Sequence, residues 1–434
     1  MITQRDLVQR LTRRDPGAWS VVERIQDTAT AEDPHSFQRR DHRTRLTLIV
    51  HHDVPRGRGS ARLDLDAFDG TADDLVDQAI ALALTAVGPT WLSTPAAAPA
   101  KVVVLDDDLR ELDAAARGIL GRLLRPAGVT TRATIAILRE KTTIVASSGF
   151  QTTWLATSLR ADAQVALGPH QLTVVRTARR AADLDLDAAL AAAAADLLQL
   201  PGAAPPVPGP CALWLGPDAI LHGGDLGLWS IFAHQADAAV ERQGLTRFRL
   251  HAELAPGAAQ LPDPLSITSD GALDFATRSL PITDDAVAIR RFPLVDRGLA
   301  TGLGLSPREA ALRHTDPNGG VRNLVVNPGT WSPPSTSSSP SSGASPPRLL
   351  EVRRLHALAI DPYTGDATLD IAFGLDHRLD PRTGRAIAIA FTGGSIRLDL
   401  ITALARARRS SQLLRRGAYH GPADLLIDAT DLLT

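Results

Sequence analysis

The segment PGAAPPVPGP at 201–210 places Pro201, Pro205, Pro206, Pro208 and Pro210 within ten residues. Proline fixes φ and lacks an amide N–H, so this density can continue neither a helix nor a sheet ladder and favours stiff extended chain. The segment therefore cuts the chain into residues 1–200 and residues 211–434. A chain of this length is too long for one ordinary core, and the expectation is two domains joined by a 201–210 linker.

Before the prolines, helices alternate with adjacent strands. Residues 1–14 form an amphipathic pattern with Leu7, Val8 and Leu11 on one side. RLTLIV (45–50) and ARLDLD (61–66) alternate as half-buried strands do, and HHDVPRGRGS between them reads as a long hairpin loop. DDLVDQAIALALTAVG spaces Val76, Ile80 and Leu84 as a helix, with Asp73 and Asp74 at its favourable N-terminal end. KVVVLDD reads as a short buried strand, LRELDAAARGILGRLL as a helix that stops before Pro126, and 132–139, 142–148, 152–158 and 170–177 as strands. Residues 183–200 form an Ala-rich helix.

After the prolines, short strand-like pieces dominate: ALWL, TRFRLHA, AVAIR, VRNLVV, ATLDIAF, RAIAIAF and LLID. Two helices interrupt them, about 228–243 and about 396–408, the second with Ser395 as N-cap. WSPPSTSSSPSSGASPP, 331–347, has the composition of a mobile surface loop. The fold class is therefore α+β: an N-terminal α/β sandwich-like domain and a β-rich C-terminal domain with few helices.

Charge excludes some partners. The net charge is -2, from 46 Lys+Arg against 48 Asp+Glu, which gives no electrostatic reason to expect nucleic acid or an anionic membrane. The N-terminus carries no signal-type apolar stretch, and no window approaches the ~18 apolar residues of a membrane span, so a soluble cytoplasmic protein is expected. Cys211 is the only cysteine, which rules out an intrachain disulfide or a Cys-based zinc cluster; in CALWLG it reads as core.

Candidate chemistry is sparse. His51-His52-Asp53 lies along a strand, where neighbouring side chains point to opposite faces and make a poor joint ligand set. His222-Gly-Gly-Asp225 reads as a turn. His222, His234 and His251, with Asp237 and Glu253 nearby, could be recruited to zinc, but spacings of twelve and seventeen residues match no compact ligand pattern. Gly302-x-Gly304 lacks the third glycine and the acidic residue of a dinucleotide fingerprint. There is no P-loop and no G-x-S-x-G elbow.

Longer stretches carry a resemblance. They are RLTLIVHHDVPRGRGSARLDLDAFDGTADDLVDQAIALAL, VGPTWLSTPAAAP, CALWLGPDAI, SLPITDDAVAIRRFPLVDRGLATGLGLSPREAALR, FTGGSIRLDLITALARAR and GPADLLIDATDL. In this order and spacing the chain resembles the TldD/PmbA family, and most closely its PmbA/TldE branch. The catalytic TldD branch carries H-E-x-x-x-H and a later zinc-binding cysteine. Two histidines five apart lie ~140° apart on an ideal helix, so that motif needs a distorted helix to aim both at one ion. The alignment that the resemblance implies puts Trp229 on the first histidine, Ser230 on the glutamate and His234 on the second histidine. No cysteine follows Cys211.

The resemblance thus implies a chain with no catalytic residue and no cofactor of its own. Trp229, Ser230 and His234 would be the degenerate positions, and zinc is expected in a TldD-like catalytic partner. The two would form a heterodimeric metalloprotease that encloses a chamber and trims unfolded or small peptides, ribosomal peptide precursors among them. Two other readings stay open: an independent metallohydrolase using His222, His234 or His251, and a non-enzymatic peptide-binding homodimer.

Overall fold

A computed structural model describes residues 2–32, 37–65, 70–91, 98–123, 129–334, 348–379 and 386–433. Seven strands build the first sheet: β1 (Gly17–Glu32), β2 (Phe37–Val54), β3 (Gly57–Leu65), β4 (Val87–Gly88), β5 (Thr130–Ala146), β6 (Gln151–Leu167) and β7 (His170–Ala178). Their order is β4-β3-β2-β1-β5-β6-β7, and every pairing is antiparallel. Helices cover one face. Gln4–Arg14 and Ala72–Thr85 bury Leu7, Leu11, Leu75 and Val76 against Val21, Leu48 and Val50. Leu112–Leu123 and Leu186–Gln199 bury Ile119, Leu120, Leu190 and Leu197 against Ile135, Ile137, Leu159 and Val165. This is the sandwich-like α/β layer expected from the alternation of elements.

Several local readings are corrected. The hairpin loop is tight: both strands continue through His51–Val54 and Gly57–Ser60, leaving only Pro55 and Arg56 as the turn. The pieces 132–139 and 142–148 are one strand, β5, because Arg139, Glu140 and Lys141 carry the ladder across without a turn. KVVVLDD is not a strand. It is a linear segment held by single bonds to distant partners: Val103 N–H donates to Asp274 Oδ1 (2.8 Å), Thr157 N–H to the Val104 carbonyl (2.9 Å), and Asp106 N–H to Thr157 Oγ1 (2.9 Å).

Beyond Gly209 the chain makes two further sheets. One has the order β11-β10-β9-β12-β19-β18, from β9 (Ile267–Asp270), β10 (Phe292–Asp296), β11 (Leu299–Ala300), β12 (Asn323–Val326), β18 (Leu413–Arg416) and β19 (Tyr419–Pro422). The other runs β13-β8-β20-β16-β14-β15, from β8 (Gly209–Leu215), β13 (Leu349–Ile360), β14 (Asp366–Leu379), β15 (Ala386–Phe391), β16 (Ser395–Asp399) and β20 (Leu425–Leu433), with β17 (Arg408–Arg409) on β20. Because β13 also pairs with β14, five of these strands close on themselves as a small barrel. Its interior, with Leu213, Leu215, Leu350, Val352, Leu369 and Ile396, joins the main C-terminal core.

TRFRLHA and AVAIR form no strands, and AVAIR contributes only the isolated bridge Ile282↔Ala288. The expected 396–408 helix is instead β16 followed by the short helix Leu400–Arg406. Its N-cap is Asp399, not Ser395: the Asp399 carboxylate accepts from Thr402 N–H and Oγ1. Residues 335–347 of the low-complexity segment lie outside the described residues.

The N- and C-terminal blocks are tied together by buried polar contacts. Arg179, just past β7, donates from Nε to the Ala276 carbonyl (2.9 Å) and from Nη2 to the carbonyls of Thr277 and Ser279 (2.9 Å each). Ile282 and Ala286 pack against Val22 and Ile144 on the helix-free face of the first sheet.

One close approach yields a stability prediction. A Cβ on Gly59 of β3 would stand 1.9 Å from the backbone carbonyl oxygen of Ala83 in the covering helix. Neither partner is a flexible side chain, so Gly59→Ala is expected to cost about 1–3 kcal/mol, the range for overpacking. Thermal unfolding of the variant checks this, and an unchanged midpoint refutes it.

Candidate functional site

The segment 226–243 begins with a bend that only a small residue allows. Gly227 has φ +50°, and a Cβ there would lie 2.1 Å from the Ile220 carbonyl oxygen. Gly227–Trp229 is a 3-10 turn, Ser230–Gln235 a short helix and Ala238–Arg242 a second one. The single helix expected over 228–243 is thus broken at Ala236–Asp237. Asp237 leaves helical geometry and caps the second helix, accepting from Ala239 N–H (2.7 Å). Gly304 docks into the break, its N–H donating to the Ala236 carbonyl (2.7 Å) and its carbonyl accepting from Ala238 N–H (3.1 Å). Gly302 and Gly304 are packing positions: a Cβ would meet Pro293 O at 2.1 Å or Val321 N at 2.7 Å.

Trp229 is fully buried. Its ring stacks on Tyr419 (centroids 5.7 Å apart, 21° between planes) and on Phe232 (6.0 Å, 28°). His234 faces another way, edge-on to Tyr363 (5.0 Å, 84°), and its buried Nε2 has no hydrogen-bond partner among the described residues. Gln235 holds the adjacent turn, donating from Nε2 to the carbonyls of Pro362 (2.6 Å) and Tyr363 (2.9 Å).

The other histidine candidates are dispersed. His222 opens a turn in which Gly223, Gly224 and Asp225 all have positive φ. Asp225 is occupied by Arg278 Nε (2.7 Å) and Thr277 Oγ1 (2.6 Å). His251 is exposed in a left-handed turn, its N–H on the Ala300 carbonyl (2.7 Å). Glu253 accepts from Gly257 N–H (2.7 Å) and Gln260 Nε2 (3.0 Å). Zinc requires three converging donors and an open position. Among the described residues no three His, Cys, Asp or Glu side chains are grouped to hold a metal, so these positions do not fit that ion.

His51 and His52 diverge as strand neighbours must. His51 Nδ1 lies 2.5 Å from Ser60 Oγ, and its ring meets Trp91 edge-on at 4.9 Å. His52 Nδ1 donates to the Pro16 carbonyl (2.9 Å). Asp53 takes the Arg58 guanidinium in a fork, and Arg58 also lies over Trp91. Burial first, then the Arg58 charge, pushes the His51 imidazolium down from 6.5 to about 4, against a smaller opposite pull from Asp53. The unfolded imidazole takes its proton near 6.5 and the folded one only near 4. His51 therefore favours folding fully above pH 6.5, and that contribution is lost as pH falls toward 4. Imidazole NMR is expected to show His51 still neutral at pH 5.5, with urea stability falling over this window less steeply in His51→Gln. A midpoint near 6.5 refutes the prediction.

A larger charged cluster was missed by sequence reasoning. Asp218 accepts from Arg176 Nη2 (2.8 Å), Arg416 Nη1 (2.6 Å) and Arg354 Nη1 (3.1 Å). Asp196, on the helix Leu186–Gln199, accepts from Arg354 Nε (2.9 Å) and Arg353 Nη1 (3.2 Å). Glu351 takes Arg353 Nε and lies 2.7 Å from His377 Nε2. Arg176, Arg354 and Asp196 are each about 5% exposed. Burial pushes Arg176 down to about 10, against the Asp218 charge. The sequence signal was Arg353-Arg354 between apolar residues of a strand, where one of the two side chains must point inward.

No protein-family model and no curated protein matches the chain. Solved structures do match. The chain is similar to a candidate DNA gyrase modulator from Thermotoga maritima MSB8, with 14% identity, 99% of this chain and 100% of that one covered, and a TM-score of 0.73. It is similar to another candidate DNA gyrase modulator, from Bacteroides thetaiotaomicron VPI-5482, with 15% identity, 100% of both chains and a TM-score of 0.73. It is also similar to TldE from Thermococcus kodakarensis, with 14% identity, 100% of both chains and a TM-score of 0.70. At such identity the likeness is one of fold, and it extends over the whole length of each. The chain has the TldE fold. Among the described residues no helix is long and apolar enough to cross a membrane.

Proposed function

We propose that this chain is a TldE/PmbA-type member of the TldD/PmbA family, a non-catalytic subunit that completes a two-subunit zinc peptidase. The partner would be a TldD-like chain carrying the metal, and the substrates unfolded or small peptides. The observation that carries this reading is Trp229. The position that the family resemblance sets against the first zinc-binding histidine holds a fully buried indole stacked on two aromatic rings, and the one it sets against the catalytic glutamate holds Ser230. An indole offers zinc no donor and a serine is a weak general base, so hydrolysis by a zinc-bound water falls to another chain. The contribution of this subunit is then a wall: it closes a chamber, excludes folded proteins and steadies its partner. In the same proposal residues 1–200 and 211–434 are two domains meeting at the 201–210 segment.

Co-expression with a chain bearing H-E-x-x-x-H encoded beside it tests the proposal. The expected outcome is a stable complex that cleaves an unstructured peptide, with neither chain active alone. Recovery of this chain only by itself, with full peptidase activity in the other, overturns it.

A further inference from the structure

Where β7 runs past the turn at His222, the two halves of the molecule enclose a cavity of about 240 Å³. One wall is Thr173 and Arg176 of β7, another is Asp218, Leu221 and His222, and the third is Arg354 to His356 of β13. The charges that line it do not balance, because Arg176 and Arg354 stand against Asp218 alone. Arg176, Arg353, Arg354 and Arg416 stand against Asp196, Asp218 and Glu351 in one connected network. Asp218 also faces the cavity, but its two oxygens are already shared by three guanidiniums.

One donor in this network is left over. Arg176 uses Nη2 on Asp218 and Nη1 on the Val175 carbonyl (2.9 Å), while its buried Nε–H has no partner among the described residues. The residue is 4% exposed, and a buried N–H of a charged group without an acceptor is costly. Beside it, His222 and His356 also line the cavity. Leu172, Leu221, Leu355 and Ala372 supply apolar wall. Excess positive charge and imidazoles on apolar surroundings make up the chemistry of oxyanion recognition.

We infer that this cavity is a binding site for a small organic anion, its carboxylate or phosphoryl oxygen held by Arg176 and its apolar body lying along Leu221 and Leu355. The cavity falls below the ~300 Å³ at which pockets for drug-sized ligands begin, so the ligand is a compact acid. The site depends on no peptidase activity and stands apart from Trp229, Ser230 and His234.

Calorimetric titration of the full chain with N-acetyl-L-leucine, N-acetyl-L-leucinamide and inorganic phosphate tests the inference. The acid and its amide share one apolar body and differ in the charge. The expected result is saturable binding of at least one of the two anions, with the amide at least tenfold weaker than the acid if the acid binds. A tighter acid identifies a carboxylate source, and a tighter phosphate identifies a phosphoryl source. Arg176→Met is expected to weaken the bound anion at least tenfold. The comparison of anions with the neutral amide uses the unaltered chain, so it holds even if that variant fails to fold. Equal binding of acid and amide with phosphate silent, binding of neither anion, or undiminished anion binding by a folded Arg176→Met protein overturns the site.

Discussion

Asp218→Ala is expected to destabilise the fold by about 3–5 kcal/mol, the cost of breaking a buried ion pair by removing one partner. The carboxylate is only 18% exposed and serves three guanidiniums, two of them nearly buried. Its removal leaves Arg176 and Arg416 facing each other with no counter-charge between them, because Arg354 alone retains Asp196. The midpoint of urea unfolding reads this directly, and a loss below about 1 kcal/mol, the scale of an exposed pair, would refute it. The effect carries a pH signature. Burial favours the protonated acid, but the Arg176, Arg354 and Arg416 charges outweigh it and hold Asp218 below its ordinary 3.8. The unfolded carboxyl takes its proton near 3.8 and the folded one at lower pH. The stabilisation is therefore complete above 3.8 and lost as pH falls through the folded value, so the gap between parent and variant should narrow only in strong acid.

Installing the metallopeptidase motif that the proposed family reading sets at these positions, by combining Trp229→His with Ser230→Glu, is expected to fail in two ways. Emptying the space of a fully buried indole costs about 3–5 kcal/mol, because the Phe232 and Tyr419 rings lose the surface they stack on. The new imidazole would also start from a position against Tyr419, whereas His234 lies against Tyr363, so the two are expected not to share one ion. Urea unfolding measures the first effect, and elemental analysis of the dialysed double variant measures the second. A folded variant holding one zinc per chain would show that position 229 still addresses a metal, and would undo the proposed division of labour.

What the sequence made legible was local chemistry. The helix Ala72–Thr85 follows from its apolar spacing and acidic first turn, and the structure adds a capping box between Thr71 and Asp74. The run KVVVLDD misled because its apolar residues satisfy isolated partners from Thr157 to Phe275, which no local pattern encodes. Ser395 after two glycines resembled a helix cap. Ile396 and Leu398, however, alternate inward as a strand, and the helix waits for Asp399. Trp229 could be singled out only through the family resemblance, and its burial against the rings of Phe232 and Tyr419 was not legible. The charged cluster was least legible, since Arg354 and Asp196 are 158 residues apart and only the packing of β13 on the N-terminal layer joins them.

The barrel formed by β13, β8, β20, β16 and β14 has a consequence for how the polypeptide is made. Its first stave, Gly209–Leu215, is flanked by Leu349–Ile360 on one side and Leu425–Leu433 on the other. During vectorial synthesis the earlier stave must wait unpaired until Leu349–Ile360 has left the ribosome, and half-paired from then until Leu425–Leu433 follows, while the first sheet already has all its strands once Ala178 has emerged. Such long-range closure is slow and exposes strand edges meanwhile. The second half of this protein is thus the part that closes last and leaves strand edges open longest while the chain is being made.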